Sequence, residues 1–267
     1  RAPQRLAVLE AATQGDPDQI IAALATRDGD VVSVAELARL CRRPTPEIRE
    51  RLETTFEPLD AGRWVRRMAV ADARAAYLTR LTQAHRDAPI RLHVPVSSIR
   101  DALMRQVSRE LLAHVEHRLA EAGDIRLSAS QVARHDHNPL ATLPPETLAQ
   151  LARIEVRLRD GGLMPPEVTA LADEGPETPE LIQLLVDTGR ARSLRNHALR
   201  QTLVFHSTAF DAAATRLRET FPPPASFTTG EARAALATTR KFIVPVLEHL
   251  DTLGATTREG DLRRVLG

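Results

Sequence analysis

Residues 238–254 read TTRKFIVPVLEHLDTLG, and residues 255–265 continue with ATTREGDLRRV. Thr238 or Thr239 is placed to cap the start of a helix, and Gly254 follows the last apolar position, as is typical of a helix end. The extended stretch after Gly254 predicts a short hairpin. The inner face of the helix is predicted from apolar residues at helical spacing, which are Phe242, Val246, Leu250 and Leu253.

Three further glycines end similar apolar patterns, and the four together are regularly spaced. They lie 61, 66 and 65 residues apart, at Gly62, Gly123, Gly189 and Gly254. Because glycine adopts the left-handed conformation that closes a helix, each predicts a helix end followed by an extended stretch. A period this regular is typical of tandem copies of one supersecondary unit.

Helix starts recur before these glycines. A hydroxyl followed three residues later by a carboxylate predicts a capping box at Ser33–Glu36, Ser98–Asp101 and Thr228–Glu231. The third unit has no such pair, and Pro165–Glu167 is predicted to open its helix instead. A longer helix is expected to follow in the first three units, beginning near Thr45, Ser108 and Thr178.

One more helix precedes each pair, at 17–27, 73–86, 147–159 and 210–220. Three helices followed by a hairpin, or wing, make a winged helix-turn-helix. The wing is clearest in the third unit, where 190–194 and 201–206 flank a loop at 195–200. We therefore predict a mainly α fold with small β-hairpins, of the α+β class. It comprises four tandem winged helix-turn-helix domains, at 1–72, 73–138, 139–206 and 207–267.

The stretch 134–145 differs from the regular units. It holds three prolines and two histidines but few large apolar residues. Such a composition is typical of a loop between packed elements. We expect a boundary between two pairs of domains here, and a hinge.

The composition argues against an enzyme. The 267 residues carry 36 basic and 35 acidic side chains, so a nucleic-acid site must be a local patch. The only lysine, Lys241, is followed by Phe242, whereas a phosphate-binding loop needs Lys followed by Ser or Thr. No apolar run is long enough for a membrane span, and the single Cys41 excludes an intrachain disulfide. We expect a cytoplasmic chain that binds rather than catalyses and holds no cofactor of its own.

Several single residues invite other interpretations. Four histidines, which are His114, His117, His135 and His137, lie at helical or alternate spacing and suggest a metal site. Nothing in the sequence brings the pair 114/117 together with the pair 135/137. Surface or hinge-packing roles are therefore favoured, and no metal is expected. Cys41 is expected to be a small buried residue near a helix end, and Trp64 to anchor the first wing. The loop 195–200 could be a second nucleic-acid wing, although a solvated turn is favoured.

Arg240 and Lys241 are the strongest candidates for binding. They fall in the first turn of the predicted last helix, beside backbone amides that have no helical partner. Cations in a first turn are locally unfavourable to the helix, whereas amides and cations together suit a phosphate. Pro245 lies inside the same helix and predicts a kink.

This last stretch closely resembles the C-terminal winged helix of the bacterial selenocysteine-specific elongation factor. The resemblance rests on the residues at 240–242, 245–248, 250–251 and 257–263. It implies four tandem winged helices that follow a GTPase part, where GTP and magnesium would bind. It also implies that the last winged helix grips an mRNA hairpin just downstream of a UGA codon. Because the sequence starts at Arg1 rather than Met, we expect a piece of a longer chain.

The resemblance also implies which residues touch RNA. Arg240 and Lys241 would hold the hairpin backbone, and wing residues would lie nearby. The family usually has Tyr where this sequence has Phe242, and the apolar spacing favours a core role for that ring over base stacking. The candidate RNA-binding residues are Thr239, Arg240, Lys241, Phe242, Arg258, Gly260, Asp261 and Arg263.

The expected partners follow from the same resemblance. They are an mRNA stem-loop (the selenocysteine insertion element), the ribosome and, through the GTPase part, selenocysteyl-tRNA; no membrane partner is expected, and the chain should be a monomer. A tandem winged-helix DNA-binding regulator and a protein-interaction scaffold are the alternatives. Binding to RNA hairpins, to DNA duplexes or only to proteins distinguishes them.

Overall fold

The computed structural model describes residues 2–27 and 30–266. Within them the chain forms two compact units. The first contains the residues up to Asp87 together with His93–His137, and the second contains Ala88–Leu92 together with the residues from Asn138 onward. In sequence, the last division falls between 137 and 138, within the Pro-rich stretch 134–145.

The first half of unit 1 packs helices against a three-stranded antiparallel sheet of order β1-β3-β2. Its core includes Ile20, Leu24, Leu37, Ile48 and Trp64, so Trp64 does anchor the first wing. Cys41 ends a helix as predicted but is half-buried rather than buried. The elements are α1 (Ala2–Gln14), α2 (Pro17–Arg27), β1 (Val31–Ser33), α3 (Val34–Cys41), α4 (Thr45–Leu52), β2 (Phe56–Pro58) and β3 (Arg63–Arg66).

The second half of unit 1 has a sheet with the same arrangement of strands, of order β4-β6-β5. Tyr77, Leu81, Ile99, Leu112 and Leu119 lie in its core. Its elements are α5 (Arg67–Asp87), β4 (Val94–Pro95), α6 (Val96–Leu103), α7 (Arg109–Glu121), β5 (Ile125–Leu127) and β6 (Gln131–Arg134).

The first half of unit 2 has a two-stranded sheet. Ile90 and Leu92 complete its core beside Leu151, Ile154 and Leu181. The helix predicted to open at Pro165–Glu167 is a short 3₁₀ helix, Val168–Glu174. The other elements are α8 (Pro139–Thr142), α9 (Pro145–Gly161), α10 (Thr178–Asp187), β7 (Ala191–Asn196) and β8 (Gln201–His206).

The second half of unit 2 carries the sheet β10-β11-β9. Its α12 opens with the full capping box predicted at Thr228–Glu231. Phe210, Leu217, Phe227 and Leu250 lie in the core. The elements are α11 (Thr208–Thr220), β9 (Ser226–Thr228), α12 (Thr229–Ala235), α13 (Arg240–Thr252), β10 (Thr256–Glu259) and β11 (Leu262–Val265).

The predicted α+β class with small antiparallel sheets is therefore observed. Three of the four periodic glycines close helices with positive φ, at Gly123, Gly189 and Gly254. The fourth prediction was wrong, because α4 ends at Leu52 and Gly62 lies in the β2–β3 turn. There the Asp60 carboxylate accepts hydrogen bonds from the amides of Gly62 (3.0 Å) and Arg63 (2.8 Å).

Two helix predictions were also wrong. The N-cap predicted at Ser98 lies three residues earlier, at Pro95, and the Ser98 hydroxyl donates to the Pro95 carbonyl (2.7 Å). In the first unit α4 is no longer than α3, since each has 8 residues.

No helix in the described residues is long and apolar enough to cross a membrane.

His85 lies buried near the end of α5. Its ring stacks on His137 with 3.7 Å between ring centroids, and its Nε2 accepts a hydrogen bond from the Arg134 amide (3.2 Å). Burial, with a smaller contribution from the charge of His137, lowers the pKa of His85 from 6.5 to about 4. The folded protein therefore keeps this ring neutral.

We expect the stability of unit 1 to fall as the pH drops from 6.5 towards 4. Above this window His85 is neutral in both states, whereas within it only the unfolded chain takes up the proton. The loss amounts to at most about 3 kcal/mol. Urea unfolding of the wild type and of His85→Gln across this pH range separates the contribution of His85 from that of the carboxylates. An identical pH dependence in both proteins would show that His85 is not responsible.

Candidate nucleic-acid interface

The N-terminal end of α13 lacks a side-chain cap. Thr239 is the N-cap residue, but its side chain makes no capping hydrogen bond. The other predicted cap, Thr238, instead donates its hydroxyl hydrogen bond to the Leu163 carbonyl (3.0 Å). The Phe242 amide donates to the Thr239 carbonyl (3.1 Å), so among the described residues it is the amides of Arg240 and Lys241 that are left available to an outside acceptor.

Two cations flank these amides, and only one of them is paired with a carboxylate. The exposed Arg240 side chain has no hydrogen bond or ion pair within residues 2–27 and 30–266. Lys241 does not project freely as predicted, because its Nζ lies 2.7 Å from Oε1 of Glu167. Its ammonium also lies 5.3 Å from the centre of the Phe242 ring. The hydrogen bond from Lys241 lowers the pKa of Glu167, with a further contribution from Gln201.

The buried face of α13 differs from the predicted one at its end. Leu253 is 58% exposed, so its assignment to the inner face was wrong. Phe242 is buried and meets Phe205 edge-on, with ring centroids 6.1 Å apart. It belongs to the core and presents no stacking platform to a base, which corrects its place among the RNA-binding candidates. The helix faces the core through Phe242, Ile243, Val246, Leu247 and Leu250.

The wing that follows α13 brings three of the candidates together at its tip. Arg258 and Asp261 are exposed, and Gly260 adopts the left-handed φ of +63° that the tight turn requires. The Arg258 Nε donates to the Gly260 carbonyl (2.9 Å). The Arg258 guanidinium makes no ion pair with any described residue, so it can meet a phosphate.

The burial of Arg263 corrects its place among the RNA-binding candidates. Its side chain is only 7% exposed, and its Nε donates to Asp251 Oδ2 (2.9 Å) while a second nitrogen reaches Thr229 (3.3 Å). The other oxygen of Asp251 accepts from the Thr256 hydroxyl (2.5 Å). Arg263 therefore fastens the wing to α13 and α12 and does not face a ligand.

Comparison with known proteins shows what this domain is similar to. Residues 223–265, which span α12, α13 and the wing, match the family model described as elongation factor SelB, winged helix. The last domain is therefore similar to the winged helix of elongation factor SelB. The resemblance predicted from residues 240–263 is thereby confirmed.

Relatives extend the similarity beyond the SelB winged helix. The chain is 25% identical over 194 residues to the selenocysteine-specific elongation factor of Desulfomicrobium baculatum; the match covers 71% of this chain and 30% of that protein. The crystal structure of bacterial selenocysteine-specific elongation factor EF-Sec matches 92% of this chain and 38% of its own, with a TM-score of 0.56 and 18% identity. The mRNA-binding domain of elongation factor SelB from E. coli, solved in complex with SECIS RNA, covers 47% of this chain and all of its own, with a TM-score of 0.37 and 20% identity.

The segment that resembles the SelB winged helix contacts the β7–β8 hairpin one turn before Pro245. Proline has no N–H, so the carbonyl of Lys241, four residues earlier, loses its helical donor. The Asn196 side chain supplies the missing hydrogen bond, with Nδ2 2.7 Å from that carbonyl oxygen. The helix continues across Pro245 to Thr252. Neither Asn196 nor Glu167 was predicted here, because no local spacing connects them with Lys241.

The remaining candidates do not form a site. His114 contacts Glu57 (3.0 Å), His117 contacts Glu121 (3.3 Å), and His137 stacks on His85. No group of three or more metal-ligating side chains is found in the part of the chain that the structure describes. That the chain holds no metal remains a prediction.

Proposed function

We propose that this chain is the mRNA-hairpin-binding C-terminal region of a selenocysteine-specific translation elongation factor. It would tether the factor close to an in-frame UGA codon. The observation that carries the proposal is the family match at 223–265, which coincides with an uncapped helix start and an unpaired Arg240. The relative that is 25% identical over 71% of this chain bears that factor's name.

The proposal extends to the domain organisation. Each half of each unit holds helices followed by a small antiparallel sheet, and each has a core of its own. We read these as four tandem winged helices with boundaries near 72, 138 and 206. The family match supports this reading directly only for the last of them.

Phosphate binding is the physical basis of the proposed affinity. The amides of Arg240 and Lys241 at the start of α13 present partial positive charge, and the Arg240 side chain adds a planar fork that fits phosphate oxygens. Arg258 at the wing tip is the other unpaired cation of the candidate set. Because the major groove of an RNA helix is too narrow for side chains, sequence recognition should fall on a loop or bulged base.

Lys241 has a competitor for the phosphate. Its ion pair with Glu167 must be exchanged for RNA, since an ammonium held at 2.7 Å from a carboxylate is partly neutralised. We therefore assign more of the affinity to Arg240 than to Lys241.

The rest of the proposal concerns the whole factor. The region described here binds and does not catalyse, while GTP and magnesium would act in another part of the longer protein. The ribosome and selenocysteyl-tRNA are proposed partners of that protein, which would work as a monomer in the cytoplasm.

The test is a titration of RNA stem-loops taken from downstream of in-frame UGA codons in bacterial selenoprotein messages. We expect Arg240→Ala to weaken binding of its cognate stem-loop about tenfold and to lower the salt slope by about one. Fluorescence anisotropy at several salt concentrations measures both quantities. Arg218→Ala, on the exposed side of α11, is the matched control and should leave binding unchanged.

The rival functions make different predictions. Tighter binding to DNA duplexes than to any stem-loop would favour a DNA-binding regulator. Binding only to proteins, with no salt-dependent RNA affinity, would favour a scaffold. An unchanged RNA affinity in both Arg240→Ala and Lys241→Ala would refute the assigned site.

A further inference from the structure

The tip of the β7–β8 hairpin is a cationic surface with no assigned role. It comprises residues 197–200 and the adjoining Arg195 and Asn196. Arg195, His197 and Arg200 are exposed, and none of the three forms a hydrogen bond or ion pair through its side chain with another described residue. A protein whose net charge is only +1 thus places unpaired cations together at one tip.

Asn196 fixes this tip to the start of α13. Its side chain is buried, with Nδ2 2.7 Å from the Lys241 carbonyl oxygen and Oδ1 3.0 Å from the Leu199 amide. One side chain therefore holds both the hairpin turn and the first turn of the helix. The tip and the helix start therefore lie side by side within one compact unit.

The charge on that surface is strongly one-sided. Arg195, Arg200, Arg240 and Lys241 supply four cations. Among the described residues, Glu167 is the only carboxylate that any of them contacts. Neighbouring cations on a fixed frame attract a polyanion more than the same charges dispersed over the surface. The phosphates of a nucleic-acid backbone are the ligand that suits such a group of cations.

We propose that the β7–β8 tip is a second phosphate-binding segment for the same RNA hairpin. Arg195 and Arg200 contact the stem backbone beyond the part held by α13, and Asn196 is a positioning residue that sets the tip against the helix. This proposal rests on the proposed function and adds the preceding domain to the RNA site. Phosphates give the contact affinity without sequence preference.

The test compares Arg195→Gln/Arg200→Gln with the wild-type full chain in the stem-loop titration. Glutamine removes the charge but keeps an unbranched polar side chain, and at 200 it makes the same demand as Arg on the left-handed backbone, where φ is +52°. We expect binding to weaken about tenfold and the salt slope to fall by one to two. Arg159→Gln/Arg218→Gln, which also removes two exposed charges from unit 2, is the control and should match the wild type.

Two further measurements distinguish a direct contact from a general charge effect. A stem-loop shortened to its loop and closing pairs should bind the Arg195→Gln/Arg200→Gln variant and the wild type equally well. In an Asn196→Ala background, shown to be folded by circular dichroism, the two arginine changes should lose most of their effect. Both results follow only if the tip is held in place beside α13.

The inference and the proposed function fail in different ways. If wild-type protein binds stem-loops and Arg240→Ala weakens that binding, but Arg195→Gln/Arg200→Gln changes neither affinity nor salt slope, the tip is not part of the site. An equal loss on the full and the shortened stem would also overturn it. If no stem-loop binds the wild type, it is the proposed function that fails.

Discussion

Replacing Arg263 by methionine should destabilise the last domain by about 3 kcal/mol. The change removes one partner of a buried pair and leaves the Asp251 carboxylate without its guanidinium, which is costly in a partly buried position. Circular dichroism during urea unfolding should show a transition at lower urea. Trp64, the only tryptophan, lies in unit 1 and reports on that unit alone, so its fluorescence transition should stay in place.

The neighbouring Arg264 provides the matched control. It is exposed and pairs with Glu259, and Arg264→Met should change stability by less than about 0.5 kcal/mol. At a temperature where the Arg263→Met variant is still folded, its RNA affinity and salt slope should equal those of the wild type. A variant with unchanged stability but weaker, less salt-dependent RNA binding would return Arg263 to the RNA-binding residues.

Replacing Arg100 by methionine should have an effect of similar size in unit 1. Glu116 has a side chain only 3% exposed, and Arg100 holds both of its oxygens, with Nε at 2.9 and 3.2 Å and a terminal nitrogen at 2.5 Å. Removing the guanidinium leaves a buried carboxylate uncompensated, at a cost of about 3 kcal/mol. Calorimetric unfolding of unit 1 measures the loss.

The double change Arg100→Met/Glu116→Gln is the informative companion. It removes the buried charge as well as its partner, so we expect part of the lost stability to return. If Arg100→Met alone were as stable as the wild type, the ion pair would contribute nothing and Glu116 would be solvated in solution. A double variant less stable than either single one would indicate loss of packing instead.

Much of the fold follows from signals that lie within a few residues of each other. The capping box at Thr228–Glu231 and the left-handed Gly254 depend on local backbone geometry, and both were predicted. Gly62 misled because glycine serves hairpin turns as well as helix ends. The prediction for Leu253 was wrong because this residue lies at the C-cap of α13, after Leu250, the last buried residue of the helix.

The site was less predictable, for a different reason. Lys241 meets Glu167 and Asn196 across 74 and 45 residues of sequence, and no periodicity reports such a contact. Arg263 could have been assigned correctly from the sequence. In β11 it lies two residues from the buried Val265, so the alternation of a strand places both on the inner face.

Ile90 and Leu92 illustrate what the chain must do while it is being made. They belong to a core whose other members begin about 50 residues later and end at Val204, roughly 110 residues beyond them. At the usual rates of synthesis these two apolar side chains wait on the order of 5–20 s before their partners have left the ribosome. The segment 88–92 is thus a point at which a nascent chain stays open to chaperones, and a pause in translation downstream would prolong that exposure.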